Sequence, residues 1–393
     1  MNKSVIFIIS MAAIASTAHA QSSVTIYGVI DTAIAYANNV GGHHNFYMNS
    51  GNLQGSRWGL RGAEDLGGGL KAIFVLENGF NAFTGALGQG GDEFGRQAYV
   101  GLQSAQLGSL TLGRQYDSVV DYTGALEVGS QWASGYAAHP GDLDNINNTN
   151  RVNNALKFTS ANYGGFTFSG LYSLGGQAGQ FNRNQIWSLG AGYANGPLVL
   201  GAGYLNVKDP NYSFFGNNAS SRAASVTPSA SNFGVSRVIQ GYASAHTMQV
   251  AAAAGAYTYG AATFGATYSN VQFKDVGTEA GAGLIPAGGY TSGTGKFNNV
   301  EVSVKYQVTP FLLLGAAYDY TKGYGLGDAK YHQGVLGADY FLSKRTDIFA
   351  DAIYQHASGI DSTNHAAVAS INQLTPSSTP NQVVALVGLR HKF

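Results

Sequence analysis

The 393-residue sequence contains no cysteine, which excludes disulfides, thiolate nucleophiles and cysteine-ligated metals. Charge is scarce as well. Asp, Glu, Lys and Arg make up 11% of residues, roughly half of what a soluble domain carries. The 21 basic and 21 acidic residues cancel, leaving no cationic footprint for a polyanion and arguing against nucleic acid as a partner. Only 8 prolines occur, and no proline-rich linker or composition break divides the chain. Beyond the N-terminus no stretch approaches the ~20 apolar residues of a membrane helix, and mean hydropathy is −0.04. A helical membrane protein is therefore excluded.

Glycine and aromatic residues are abundant instead, with 55 Gly, 24 Tyr and 20 Phe. Glycine at this level suits many tight turns, and tyrosine suits the girdles that flank a membrane-crossing sheet. Period-2 alternation is explicit in Val300-Glu301-Val302-Ser303-Val304-Lys305-Tyr306, where the valines and Tyr306 share one face. Phe311–Tyr320 and Asp347–Gln355 repeat the pattern. Sixteen such segments are predicted, at 23–37, 50–61, 70–78, 94–102, 109–115, 152–159, 165–173, 185–193, 198–207, 246–256, 262–272, 298–306, 312–320, 331–340, 347–356 and 382–393. Many reach the roughly nine residues that a tilted strand needs to cross a bilayer. Seven short turns alternate with eight long loops, at 38–49, 79–93, 116–151, 174–184, 208–245, 273–297, 321–330 and 357–381. The 208–245 loop is long enough to hold another hairpin. The fold class expected is all-β, a transmembrane antiparallel β-barrel of 16 strands with both termini on the short-turn side.

The two ends agree with an outer-membrane address. Met1-Asn2-Lys3 is basic, Val5–Ile14 is apolar apart from Ser10, and Ala18-His19-Ala20 is a small-x-small cleavage site. Residues 1–20 are thus expected to be a cleaved signal peptide and 21–393 a single barrel domain. At the other end, Phe393, His391, Leu389, Val387 and Ala385 lie on one face of a last strand, and Lys392, Arg390 and Gly388 on the other. A final alternating strand with a terminal Phe resembles the assembly signal of Gram-negative outer-membrane proteins.

A wider resemblance rests on several separated stretches: Val24-Thr25-Ile26-Tyr27-Gly28-Val29-Ile30-Asp31, Ser56-Arg57-Trp58-Gly59-Leu60-Arg61-Gly62, Glu64-Asp65-Leu66-Gly67-Gly68-Gly69-Leu70-Lys71-Ala72, Gly95-Arg96-Gln97-Ala98-Tyr99-Val100-Gly101-Leu102, Leu112-Gly113-Arg114-Gln115-Tyr116-Asp117 and Leu389-Arg390-His391-Lys392-Phe393. In this order they resemble the general porins of β-proteobacteria. That resemblance implies homotrimers of barrels in the outer membrane, each with its own water-filled pore for ions and small hydrophilic solutes. It also implies contact with lipid, lipopolysaccharide and the outer-membrane assembly machinery. The third loop, about 116–150, would fold inward and oppose its acids to arginines on the wall.

The basic side is expected at Arg57, Arg96 and Arg151, with Arg61 and Lys71 extending it. Parity supports Arg57 and Arg61, because Trp58 and Leu60 make the other face apolar. For Arg96 either parity is tolerable, and a membrane-facing Tyr99 would put it inside. Arg151 stands at a loop junction, where periodicity is silent. The loop acids are Asp117, Asp121 and Glu127, with Asp121, seven residues after Arg114, preferred. Leu126-Glu127-Val128-Gly129 departs from related porins in having no proline before the glutamate. Opposed charged walls across a narrow water column set up a transverse field that orients water and dipolar solutes. The acids Asp31, Glu301, Asp319, Asp339 and Asp351 are expected to keep the lumen wet.

Three other functions are compatible with a barrel. A barrel enzyme lacks a Gly-x-Ser-x-Gly elbow, and His43-His44 has no third metal ligand at suitable spacing. No cofactor or metal is expected. A substrate-selective porin for a sugar or organic acid would draw on Tyr116, Tyr122, Trp132 and Tyr136 of the third loop as a stacking surface. An adhesin anchor would need only eight to ten strands.

Overall fold

The computed structural model describes residues 23–221, 231–279 and 283–393. The expected signal peptide lies outside these residues. Seventeen strands follow one another: β1 (Ser23–Val40), β2 (His43–Ser50), β3 (Arg57–Gly67), β4 (Leu70–Gly79), β5 (Gln97–Ser104), β6 (Gly108–Gln115), β7 (Val152–Ser160), β8 (Phe166–Ser173) and β9 (Ile186–Asn195). Then come β10 (Leu198–Lys208), β11 (Thr247–Tyr259), β12 (Ala262–Val276), β13 (Gly293–Thr309), β14 (Leu312–Gly325), β15 (Lys330–Phe341), β16 (Thr346–Ser358) and β17 (Asn381–Lys392). All pair antiparallel in one sheet that closes on itself through β1 and β17.

Seventeen strands make sixteen staves. Along one edge β1 pairs with β17, from Val29↔Lys392 to Ala37↔Val384. Along the other its first half pairs with β3 and its second half with β2. β2 and β3 are therefore one stave interrupted at residues 51–56. Asp31 holds the interruption open: its carboxylate accepts Asn52 N and Gln54 N, each at 2.9 Å, while Ser56 Oγ donates to its carbonyl at 3.0 Å.

Two of the expected long loops are corrected. Residues 38–49 are not a loop but a hairpin, turned at Gly41 and Gly42 with φ of +62° and +103°, a conformation glycine adopts without penalty. The strand expected at 50–61 is split accordingly. The loop expected at 321–330 shrinks to 326–329, because β14 continues through Gly325. Among the described residues of the 208–245 loop there is no strand; a short helix, α2 (Pro210–Ser213), and one 3₁₀ turn stand there.

Outward parity is apolar, as a lipid-facing wall requires. Val100, Leu112, Leu189, Leu336 and Val387 are all more than half exposed. Tyr257, Tyr306, Phe311 and Tyr340 form an exposed girdle at the short-turn end. Inside, the two halves differ. Along β11–β16 the wall is covered by loop residues, with Phe214, Phe233, Ile239 and Tyr242 packed on Phe273, Phe297 and Tyr331. Trp132, Ala133 and Tyr136 pack on Val335, Phe349 and Ile353. Open volume is left beside β3–β6.

Candidate functional site

The 116–150 segment begins with Asp117, whose Oδ1 accepts Val119 N at 2.8 Å and Val120 N at 3.3 Å and so caps helix α1 (Ser118–Thr123). α1 lies on inward glycines of β9 and β10. A Cβ on Gly201 would come within 1.9 Å of Tyr122 O, and one on Gly203 within 2.8 Å of Val119 Cα. Farther along, Trp132 lies over Gly315 and Gly337, where a Cβ would meet its ring at 2.4 and 2.8 Å. These glycines sit in regular strand; they are there because a backbone or an indole must approach closely.

Polar anchors complete the docking. Val128 N donates to Glu301 Oε1 at 3.1 Å and Ser134 N to Asp351 Oδ2 at 2.6 Å. Gln333 Nε2 donates to the carbonyls of Ala137 and Ala138, each at 3.0 Å. Ser269 Oγ reaches Asp144 Oδ2 at 2.5 Å, and the same oxygen meets His139 Nδ1 at 2.7 Å. Strands β12 to β16 thus hold the segment through inward side chains.

This docking overturns the expectation that the lumen acids keep the channel wet. Asp31, Glu301, Asp319, Asp339 and Asp351 are all buried. Asp31 braces the 51–56 interruption, Glu301 and Asp351 receive loop amides, and Asp339 pairs with Arg390 at 3.2 Å. A carboxylate with matched donors can be buried; a solvated one would leave the loop unanchored.

The remaining space is a cavity of about 860 Å³ lined by Arg57, Glu77, Arg96, Tyr116, Asp121 and Arg151 among others. Glu77 stands at its centre. Its Oε1 accepts Arg96 Nε at 2.7 Å and the Tyr116 hydroxyl at 3.3 Å. Its Oε2 accepts the Tyr27 hydroxyl at 3.0 Å and lies 3.7 Å from Arg57 Nε. Arg151 sits with its guanidinium 5.5 Å from the Tyr116 ring centroid, and Nη1 donates to Thr149 O at 2.9 Å. Burial, and then the charge of Arg96, push the Arg151 guanidinium down to about 10, so it stays cationic at neutral pH. Asp121 pairs with Lys157 Nζ at 2.5 Å.

The expected site residues therefore separate. Arg57, Arg96, Arg151 and Asp121 share the cavity. Arg96 enters it for a reason parity did not supply. Val100 and Leu102 face lipid, so Tyr99 is on the inner face, and a longer strand would have sent Arg96 outward. β5 starts only at Gln97, and Arg96, free of the pleat, turns in to Glu77. Arg61 and Lys71 do not line the cavity: Arg61 lies 5.3 Å from the Tyr27 ring centroid, and Lys71 is exposed beside the short turn, opposite Asp65.

Asp117 and Glu127 have no exposed surface and present no carboxylate to the cavity. Asp117 is a helix cap, raised to about 6 by burial first and by Asp121 second. Glu127 accepts His139 N and Asn147 Nδ2, each at 3.0 Å, behind the segment. The stacking surface considered for the third loop is not presented either. Trp132 and Tyr136 are buried against the wall and Tyr122 against β9, leaving Tyr116 alone of the four on the cavity. Glu77 was missed, although Phe74 and Leu76 on one face of β4 put Lys71 and Glu77 on the other.

Phe393 closes the seam. Its amide and carbonyl exchange hydrogen bonds of 3.1 Å with Gly28, and its ring fills the place of a Gly28 side chain.

Comparison with known proteins agrees with this architecture. An outer membrane porin protein of Bordetella pertussis is 36% identical over 54% of this chain, a match spanning 61% of that relative's length. Outer membrane porin protein 32 of Delftia acidovorans is 29% identical over the full length of both chains. The solved structure of an anion-selective porin from Comamonas acidovorans superposes with a TM-score of 0.72 at 21% identity, covering 95% of this chain and 100% of the other. The family model described as Gram-negative porin matches residues 8–359. On that match, with the closed sixteen-stave barrel and its lipid-facing wall, the chain belongs to the Gram-negative porins and is an outer membrane channel protein.

Proposed function

We propose that this porin passes ions and small hydrophilic solutes by diffusion through the off-centre column beside β3–β6, and that it favours anions. The charge inventory of the cavity lining supports this reading. Three guanidiniums, Arg57, Arg96 and Arg151, face two carboxylates, Glu77 and Asp121. Of the two, Asp121 is neutralised by Lys157. The wall imbalance sets ion preference, and the gap sets solute size. Loop 116–150 narrows the column in this reading but contributes one acid rather than three.

The test is the reversal potential in planar bilayers under a KCl gradient. Arg57→Ser with Arg96→Ser leaves one guanidinium against a freed Glu77, so the anion preference should be lost, the reversal potential shifting toward cations, while conductance rises. An unchanged reversal potential would sink the constriction assignment, and absence of conductance steps in the wild type would sink the channel.

The same proposal takes the assembly to be a homotrimer. The outer wall beside the seam carries an apolar recess lined by Ile34, Phe46, Ala338, Ala350, Ala352 and Ala385, shallow enough for close barrel-to-barrel packing. Contact with lipopolysaccharide, and recognition of the Phe393 strand by the assembly machinery, belong to this proposal too.

A further inference from the structure

On the extracellular rim, away from the pore, two loops bring Asp209, His246 and Glu279 together, the first two from opposite ends of the loop between β10 and β11, with one donor atom of each within 4.8 Å of the others. We propose that these three side chains form a binding site for a borderline divalent cation of the Zn²⁺ type.

The geometry carries the argument. His246 Nδ1 lies 3.0 Å from Asp209 Oδ1 and 3.4 Å from Glu279 Oε1. Ligands at 2.0–2.2 Å from a tetrahedral zinc are separated by about 3.3–3.6 Å along each edge, so the Glu279 contact matches and the Asp209 contact needs to open by a few tenths of an ångström. A single ring nitrogen can direct at most one proton, toward one of the two carboxylates, whereas a cation would serve both. The ligand set, one imidazole and two carboxylates, suits zinc over calcium or magnesium, which take oxygen donors throughout. All three side chains line a cavity of about 620 Å³ that leaves room for a further ligand.

The site is held from the backbone. Asp209 N donates to His246 O at 2.8 Å, His246 N to Lys274 O at 3.0 Å and Glu279 N to Ser244 O at 3.1 Å. Asp209 is 1% exposed, and Asn184 N donates to its second oxygen at 2.8 Å.

Among the described residues, Arg183 and Lys208 are the charged groups that line the cavity beside the three ligands. Arg183 Nη2 lies 3.1 Å from Glu279 Oε2 and is 42% exposed at its side chain, so it can leave. Lys208 is engaged by Thr247 Oγ1 at 2.9 Å. Cation binding would displace Arg183 from Glu279.

The experiment is isothermal titration of detergent-purified, EDTA-treated full-length protein with ZnCl₂, and separately with CaCl₂. One Zn²⁺ per chain is expected. His246→Ala and Asp209→Asn should each weaken binding by at least about 10-fold, while single-channel conductance stays at the wild-type value and shows that the barrel is folded. Arg183→Ala should tighten it by removing a competitor. No zinc heat in the wild type overturns the proposal, as does zinc binding that survives both ligand substitutions. Calcium binding at equal strength, or loss of zinc binding in Arg183→Ala, overturns it too, because the cluster would then be an oxygen site or an ordinary ion-pair lattice.

Discussion

Glu127→Gln tests how the third loop is held. Glu127 is fully buried behind loop 116–150 beside His139, with Asp144 on the same loop and Glu301 on β13 adding negative charge around it. Burial above all lifts its carboxyl from 4.5 to about 8. At about 1.4 kcal/mol per unit, ionising it in place costs on the order of 5 kcal/mol more than in water. His139 opposes that cost: burial alone would lower its imidazole, but Asp144 at 2.7 Å holds it well above its ordinary value. The folded protein keeps on Glu127 a proton that the unfolded chain has released. The stabilisation is thus complete below pH 4.5 and is lost as pH climbs toward 8. Asp142, raised by burial and by Glu127, acts in the same direction. In Glu127→Gln the amide oxygen still accepts from His139 N, and a turned Asn147 amide preserves the second contact. Thermal unfolding of the detergent-solubilised protein, followed by circular dichroism from pH 5 to 9, should show the wild type losing stability with rising pH. The variant should be flatter, the gap widening to a few kcal/mol at pH 9 because coupled neighbours share the titration. Single-channel records should show more current fluctuation in the wild type at pH 9 than in the variant. Parallel profiles separated by a constant offset would refute the reasoning.

Two further outcomes follow from close packing. Gly315→Val forces Trp132 off β14, and overpacking of this kind costs about 1–3 kcal/mol; a lowered unfolding temperature with altered conductance is expected, and wild-type values for both would show that the contact is dispensable. Gly28→Leu displaces the Phe393 ring from the seam, so the yield of heat-resistant barrel on refolding should drop with conductance per folded channel unchanged; normal yield would remove Phe393 from the closure.

Much of the barrel was legible because lipid imposes a one-dimensional code. Val300–Tyr306 and Ile348–Tyr354 alternate because one face meets hydrocarbon, and a one-residue error would bury charge there. The interrupted stave was hidden: Gly51–Ser56 reads as turn chemistry, and only the Asp31 carboxylate, twenty residues earlier, shows that the break is braced from the side. In the cavity, parity places Arg57 and would have placed Glu77. Parity misplaces Arg96, whose direction is set by where β5 begins. Asp117 and Glu127 look like Asp121 in sequence, yet each has its own donors, backbone amides for Asp117 and His139 N for Glu127. Whether an acid faces water depends on such partners, and which loop amide reaches which carboxylate is settled only once the loop has folded against the wall.

The seam has a consequence for how the molecule is made. Nearly every other pairing in the sheet joins strands adjacent in the chain, which hairpins can form locally, but Val29 meets Lys392 and Ala37 meets Val384 from opposite ends of the sequence. Until that contact forms, the nascent sheet carries two open edges, each a template for pairing with another chain. In hydrocarbon each unpaired amide on those edges costs several kcal/mol. Closure and insertion are therefore a single late event with high contact order. Lesions at Gly28 or Phe393 should act on the rate and yield of assembly, leaving a channel that conducts normally once it has closed.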